Sequence, residues 1–178
     1  LYIALGDGGG PGNDAFLNSQ DLSILEGNVL KIIPDKDFNS PVKYDIPSSN
    51  PYINKENHRP EIWASGFRNP YNSYFDDELN LLLLADVGNN HYEEINSVIR
   101  GYNYGWPDYE GNFLTNFIGY KSDSINLNLE YGDHDRDDEE NYSNYTKPFL
   151  SLDHNTSCAM VGVKYYNKKK ISSLYNTI

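Results

Sequence analysis

Arginine and asparagine stand side by side at Arg68 and Asn69, inside the segment GFRNP (66–70). Arginine carries a permanent positive charge on a planar fork of N–H donors, which suits carboxylates and quinone oxygens. Asparagine adds a neutral donor and a neutral acceptor. The simpler alternative is a surface arginine that forms an ion pair at the end of a strand. We favour a ligand-binding role for this pair.

A second polar segment, DVGNN (86–90), is followed closely by the adjacent carboxylates Glu93 and Glu94. DVGNN is either a plain tight turn or a loop that presents backbone carbonyls. Adjacent carboxylates can work as an acid and a base. The simpler interpretation is that EEIN (93–96) is the edge of a strand and that NYGWP (103–107) is a packed aromatic turn. We favour structure over catalysis for these two segments.

Both polar loops follow short apolar stretches that are typical of β-strands. Glu61–Ala64 precedes GFRNP, and Leu81–Ala85 precedes DVGNN. In this way an all-β scaffold presents side chains and carbonyls at the rim of a cavity. Short strands at fairly regular spacing indicate a sandwich, a barrel or a propeller, and periodicity does not choose among these. The other predicted strands are Leu1–Leu5, Asn28–Ile33, Ser73–Phe75, Glu94–Val98, Val161–Tyr166 and Tyr175–Ile178.

Two polar insertions, Pro34–Pro60 and Asn112–Lys147, interrupt the strands and are predicted to be loops rather than domain boundaries. The second contains the acidic run Asp133–Glu140, which is typical of a solvated loop. It lacks the glycine and glutamate spacing of an EF-hand. The glycine cluster Gly6–Gly12 lacks the Lys-Ser/Thr pair of a phosphate loop, so we predict a wide loop after the first strand, with a cavity-lining role for Asp7 or Asp14 as the alternative.

The composition excludes some classes of partner. The chain has 26 acidic and 14 basic residues, a net charge of −12, which argues against nucleic acid and anionic membranes. No apolar run approaches the length that spans a membrane. The single cysteine, Cys158, has no partner within the sequence, so composition assigns no redox compartment.

The segments LYIALGDGG (1–9), GFRNP, DVGNN, EEIN, NYGWP and the final YNTI (175–178) together resemble the glucose/sorbosone dehydrogenase family. Enzymatic members of that family are six-bladed β-propellers that oxidise sugars with pyrroloquinoline quinone (PQQ) and calcium. The resemblance implies an all-β fold, a partial six-bladed β-propeller of four-stranded antiparallel blades. Residues 1–178 are expected to form roughly half of one such propeller domain, truncated at both ends.

The resemblance also assigns cofactor contacts. Arg68 and Asn69 match the pair that lies in the PQQ pocket, with the arginine beside the reactive quinone carbonyls. In the glucose dehydrogenases a glutamine follows the asparagine by two residues, and here that position is Tyr71. This departure removes a polar contact to cofactor and sugar, so glucose-type specificity is not implied.

Two calcium sites follow from the same resemblance. Gly88 and Asn89 match the positions whose backbone carbonyls bind the calcium that seats PQQ. Calcium prefers oxygen ligands, including main-chain carbonyls. Glu94 and Tyr104 match positions that contribute to a second, structural calcium site.

The implied function is PQQ- and calcium-dependent oxidation of an aldose sugar, in which hydride passes from the anomeric carbon to the quinone. The expected partners are the sugar and an external electron acceptor, with no nucleic acid and no membrane insertion. The expected location is periplasmic or extracellular. No catalytic residue is expected within the chain, because the family's catalytic histidine lies upstream of Leu1. None of the four histidines matches it, and His154 is expected to be a surface or packing residue.

A non-catalytic binding domain is the alternative, since hedgehog-interacting members of the family are extracellular propellers without known catalysis. Tyr71 and the segment DHNTSCAMVGVKYY (153–166) favour this branch. In that branch the cysteine matching Cys158 forms a disulfide with a second cysteine just beyond Ile178. A buried free thiol is the other interpretation.

Overall fold

The computed structural model of the protein describes residues 1–9, 14–37, 39–115, 145–157 and 159–165. These residues form antiparallel strands and one short 3₁₀ helix, Asn18–Gln20, and the predicted all-β class is confirmed. No helix in these ranges is long and apolar enough to cross a membrane. The strands are β1 (Tyr2–Ala4), β2 (Asn28–Lys31), β3 (Ile33–Pro34), β4 (Tyr44–Asp45), β5 (Ile62–Ser65), β6 (Pro70–Asp76), β7 (Leu81–Asp86), β8 (Tyr92–Ser97), β9 (Tyr109–Glu110), β10 (Phe113–Leu114) and β11 (Leu150–Asp153).

The largest sheet has four antiparallel strands in the order β6-β7-β8-β11. Its central strand β7 is the most apolar, and residues 82–86 are all buried. Pro70 begins β6 at the edge of the described sheet, a position where a missing N–H does not break the pairing. Four antiparallel strands are what one propeller blade contains. The six-bladed propeller itself stays a prediction.

A three-stranded sheet, β1-β2-β5, contributes to the same hydrophobic core. Side chains from β2 and β5 meet leucines from β7, and the aromatic ring of Phe67 stacks on that of Tyr104 with 4.8 Å between centroids. Burial of these side chains fixes the two sheets against one another. The buried members of this core are Val29, Ala64, Phe67, Leu82, Leu84, Val98 and Tyr104.

Strand register brings the two polar loops to one end of the four-stranded sheet. Asp86, the last residue of β7, pairs with Pro70 on one side and with Glu94 on the other. The loop 66–69 therefore enters β6 where the loop 87–91 leaves β7. The prediction that both loops begin where strands end is confirmed.

The strand predictions were wrong in one place and incomplete in others. Residues 161–165 form no strand, although Lys164 approaches the ring of Tyr74 on β6 at 5.9 Å. A strand needs a hydrogen-bonded neighbour, which an apolar pattern does not reveal. The strands β4, β9, β10 and β11 arose in segments predicted as loops or left unassigned, and β3 joins the end of the predicted strand Asn28–Ile33 to Pro34 of the predicted loop. Cys158, Asp133–Glu140 and Tyr175–Ile178 lie outside the described residues.

Candidate functional site

Arg68 lies between β5 and β6 and reaches across to the DVGNN loop between β7 and β8. Its Nη1 donates hydrogen bonds to the carbonyl oxygens of Val87 (3.0 Å) and Gly88 (2.6 Å). Its Nη2 donates to Oδ1 of Asn89 at 3.2 Å. The guanidinium carbon also lies 5.6 Å from the ring centroid of Trp106, within cation–π range. The structure thus brings three of the predicted site residues into contact.

Asp86 holds the backbone of the GFRNP loop. Its carboxylate oxygens accept hydrogen bonds from the N–H groups of Arg68 (3.0 Å) and Asn69 (2.7 Å). Burial raises the pKa of Asp86 to about 7, against the opposing effect of these two N–H donors. The carbonyl of Asn69 accepts the N–H of Val87 at 3.1 Å, while the Asn69 side chain is exposed. The two loops are therefore joined through backbone as well as side-chain bonds.

Gly88 occupies a position that tolerates no side chain. A Cβ atom there would lie 1.6 Å from the carbonyl oxygen of Tyr92 and 3.0 Å from Oε1 of Glu110. The first distance is far inside van der Waals contact, and its partner is a backbone atom that cannot rotate away. The requirement for glycine is therefore steric.

Two buried carboxylates lie against the DVGNN loop. Oε1 of Glu110 accepts hydrogen bonds from four consecutive N–H groups, those of residues 89, 90, 91 and 92, at 2.7, 2.9, 2.9 and 3.1 Å. Oε2 of Glu93 accepts the N–H of Gly88 at 3.3 Å and that of Met160 at 2.7 Å. The loop is held from residue 88 to residue 92 by anionic acceptors.

His154 is bonded to the same buried carboxylate rather than lying free on the surface. Its Nε2 lies within hydrogen-bond distance of Oε1 of Glu93, whose side chain is fully buried. Its backbone N–H also donates to the carbonyl of His91 at 2.8 Å. Of the two roles expected for His154, surface or packing, the structure shows packing, and its packing partner is a loop of the candidate site.

Glu94, predicted to bind a structural calcium, is buried on β8. Its Oε1 accepts the N–H of Gly111 at 2.6 Å, and its Oε2 accepts the side-chain amide of Asn96 at 2.9 Å. Burial, followed by the negative charge of Asp86, raises the pKa of Glu94 to about 8.

Tyr104, predicted for the same site, is part of the core. Its hydroxyl accepts the N–H of Ile99 at 2.9 Å and donates to the carbonyl of Ser97. Burial raises the pKa of Tyr104 to about 12. Tyr104 and Glu94 therefore have different hydrogen-bond partners, and their joint role in calcium binding stays a prediction.

The carbonyl oxygens of the DVGNN loop suit a cation as ligands, and the guanidinium of Arg68 suits an anion. The carbonyls of Val87 and Gly88 already converge on a positive group, and calcium accepts carbonyl ligands of this kind. The Nε–H of Arg68 is buried and has no hydrogen-bond partner in the part of the chain that the structure describes, which leaves a charged donor for a carboxylate or quinone oxygen. In the described ranges, no three or more His, Cys, Asp or Glu side chains are grouped to hold a metal ion.

Sequence reasoning missed Glu110 and the position of Trp106. The indole N–H of Trp106 donates to Oδ2 of Asp7 at 2.8 Å, which links the first glycine-rich loop to the ring beside Arg68. Glu110 contacts residues about twenty positions earlier in the chain, through the short hairpin β9-β10. No local pattern marks either contact, because both depend on tertiary folding.

Comparison with known proteins gives a consistent result. The chain is 32% identical to HIPL2 protein of Arabidopsis thaliana over 194 residues, covering 99% of this chain and 25% of that protein. It is 32% identical to quinoprotein glucose dehydrogenase B of Acinetobacter calcoaceticus over 108 residues, or 61% of this chain and 19% of that protein. The soluble aldose sugar dehydrogenase of Escherichia coli, solved in its apo form, superposes with a TM-score of 0.65 and 27% identity, covering 98% of this chain and 42% of that one.

The chain therefore spans a quarter of the length of HIPL2 and less than half of the solved dehydrogenase chain. The sequence model of the family described as Glucose / Sorbosone dehydrogenase matches residues 1–178. Because this match covers the whole chain, the protein belongs to the glucose/sorbosone dehydrogenase family.

Proposed function

We propose that the complete protein oxidises an aldose sugar with PQQ and calcium as cofactors. One observation carries the proposal: Arg68 lies across the carbonyls of Val87 and Gly88, so that a permanent cation and an oxygen-rich loop share one site. The family match supports sugar oxidation. Similarity to a quinoprotein glucose dehydrogenase and to an aldose sugar dehydrogenase supports a quinone cofactor and an aldose substrate.

Arg68 and Asn69 are the proposed cofactor contacts. Arg68 holds one buried donor, Nε–H, that has no hydrogen-bond partner within the described residues. Asp86 fixes the backbone of both residues before any ligand arrives. A bound quinone would supply the redox chemistry, and the chain's residues would bind and orient it.

Calcium is proposed to bind the backbone carbonyls of Gly88 and Asn89. Hard cations of this type take carbonyl oxygens readily. The Tyr92 carbonyl packs closely against Gly88, and four N–H groups of the loop bond to Glu110. These contacts hold the two carbonyls in a fixed arrangement. Glu94 and Tyr104 remain the proposed positions of a second, structural calcium.

The proposed partners are an aldose sugar and an external electron acceptor. The net charge of −12 favours neither nucleic acid nor an anionic membrane as a partner. The proposed location is periplasmic or extracellular, in keeping with the family resemblance.

A binding domain without catalysis is the second candidate. The observation that favours it is Tyr71, whose side chain is 67% exposed at the position where the resemblance places a polar cofactor contact. An exposed aromatic at the rim of a site is the kind of residue that recognises a protein or a glycan.

Dye reduction by the complete protein tests the proposal. The protein is loaded with PQQ and calcium and assayed against a panel of aldoses, with Arg68→Ala and the exposed-site variant Tyr71→Ala beside it. We expect turnover that needs both additives and collapses in Arg68→Ala, with Tyr71→Ala still active. An inactive protein that binds no PQQ would overturn the proposed enzymatic function and favour the binding domain.

A further inference from the structure

We infer that Glu110 is a positioning residue for the cation site, because it turns the carbonyls of Gly88 and Asn89 to the side on which a ligand binds. This inference rests on the proposed function for the identity of the ligand. It goes beyond that function in naming a residue that neither motif contains and in giving the physical reason for its effect.

The argument begins with the N–H groups of the loop. Four consecutive amides, those of residues 89–92, donate to the single oxygen Oε1 of Glu110 at 2.7–3.1 Å. Successive N–H groups that converge in this way form a concavity that binds an anion. Here the anion is the protein's own carboxylate, which is 3% exposed.

The direction of the N–H groups fixes the direction of the carbonyls. In a trans peptide the C=O of one residue points opposite to the N–H of the next. The only cis peptide bond in the described chain joins Trp106 and Pro107, so the loop is trans throughout. Since the N–H groups of Asn89 and Asn90 point at Glu110, the carbonyls of Gly88 and Asn89 point away from it.

One contact verifies this geometry independently. The carbonyl of Gly88 accepts Nη1 of Arg68 at 2.6 Å, so a cationic group stands on the side away from Glu110. Glu93 has the same role one residue earlier. Its carboxylate accepts the N–H of Gly88, and the carbonyl of Val87, on the opposite side of that peptide, accepts Nη1 of Arg68 at 3.0 Å. The loop therefore has carboxylates on one face and, on the opposite face, carbonyls that point toward a cationic group.

The second oxygen of Glu110 adds to the argument. Oε2 is buried and has no hydrogen-bond partner within the described residues, so the loop engages this side chain through Oε1 alone. The side chain therefore holds the loop from one face and leaves the carbonyls on the far face directed toward a ligand. Residues that orient metal ligands from behind typically change affinity about 10–100-fold when removed.

The test compares Glu110→Ala, Glu110→Gln and a control, Asp108→Ala, in the complete protein freed of PQQ. Asp108 lies two residues away, and its carboxylate bonds to the hydroxyl of Tyr145 at 2.5 Å rather than to the loop. Two quantities are measured for each variant: calcium affinity by titration calorimetry, and hydrogen exchange of the amides of residues 89–92. Glu110→Gln keeps a side-chain acceptor without the charge and guards against a misfolded alanine variant.

We expect Glu110→Ala to weaken calcium binding about 10–100-fold and to speed exchange of the four amides. Glu110→Gln should lie in between, and Asp108→Ala within about twofold of the wild type. Faster exchange with unchanged calcium affinity in Glu110→Ala and Glu110→Gln would overturn the positioning role while leaving the proposed function intact. A wild-type protein that binds no calcium would overturn the calcium proposal and this inference with it.

Discussion

Nη1 of Arg68 lies 2.6 Å from the carbonyl oxygen of Gly88, the oxygen that the family resemblance assigns to calcium. The residue expected to hold the quinone and the loop expected to hold the metal are therefore in direct contact. A guanidinium and a divalent cation repel each other when both approach one oxygen. The contact makes Arg68 a competitor of the cation as long as no anionic cofactor lies between them.

Removing the charge of Arg68 is expected to tighten calcium binding in the absence of PQQ. Arg68→Met should raise the affinity about tenfold, because repulsion between two close charges is lost. Arg68→Lys keeps the charge and should change the affinity little. Calorimetric titration of the PQQ-free complete protein checks this, and an affinity in Arg68→Met equal to or below that of the wild type contradicts it.

Alanine at Gly88 should disrupt the loop far more than alanine at another glycine. The new Cβ would meet the Tyr92 carbonyl at 1.6 Å, so the backbone must move, and we expect a loss of about 3 kcal/mol in unfolding free energy. Gly9 is the matched control, since its Cβ would meet no atom of the described residues within 4 Å. There only the left-handed backbone resists alanine, at about 1 kcal/mol. Equal losses in the two variants by denaturant titration would show that the loop can relax around a side chain.

His154→Ala should destabilise the protein by removing the partner of a buried carboxylate. Glu93 would keep its two N–H donors but lose its hydrogen bond to the His154 ring, at a cost of about 2 kcal/mol. His58→Ala is the control, because that ring makes its hydrogen bond at an exposed position, and a change within about 0.5 kcal/mol is expected. Thermal unfolding of the two variants measures the difference. Similar unfolding midpoints would contradict a stabilising role for the contact between His154 and Glu93.

The unfolding free energy is expected to fall with rising pH, because the carboxyl groups of Asp86 and Glu94 lose their protons. These two residues pair across β7 and β8. Burial raises their pKa values from 3.8 and 4.5 to about 7 and about 8. The folded state therefore binds protons more strongly than the unfolded state, and unfolding free energy is lost between about pH 4 and pH 8.

Glu94→Gln should remove the part of this loss that belongs to Glu94, about 4 kcal/mol between about pH 5 and pH 9. Denaturant titrations at the two pH values, with a calcium chelator present, measure it. The Asp77→Asn variant, at a turn position outside the pair, should keep the wild-type slope. A slope in Glu94→Gln that matches the wild type would place the titrating group elsewhere.

Sequence patterns predicted the loops of the site well because their causes are local. The apolar run of β7 and the polar residues directly after it locate the DVGNN loop without any knowledge of the fold. The same holds for β5 and GFRNP. Strand ends moved by one to three residues, as at β6, which begins at Pro70 rather than Ser73, because pairing with β7 extends the strand.

Other features depend on contacts that no local pattern records. The bonds from Glu110 to the DVGNN loop and from His154 to Glu93 join parts of the chain that only folding brings together. β11 was missed because Leu150–Asp153 becomes a strand through its pairing with β8. Burial, which raises the pKa of Glu94, likewise follows from packing and not from composition.

Equilibrium binding of PQQ to the complete protein, titrated with and without calcium, tests the central claim most directly. Arg68→Ala provides the comparison, and absorbance of the quinone reports binding independently of any sugar. The account predicts tight binding that requires calcium and weakens at least about 100-fold in Arg68→Ala. Binding that ignores both calcium and Arg68, or no binding at all, would contradict a quinone site built on the GFRNP and DVGNN loops.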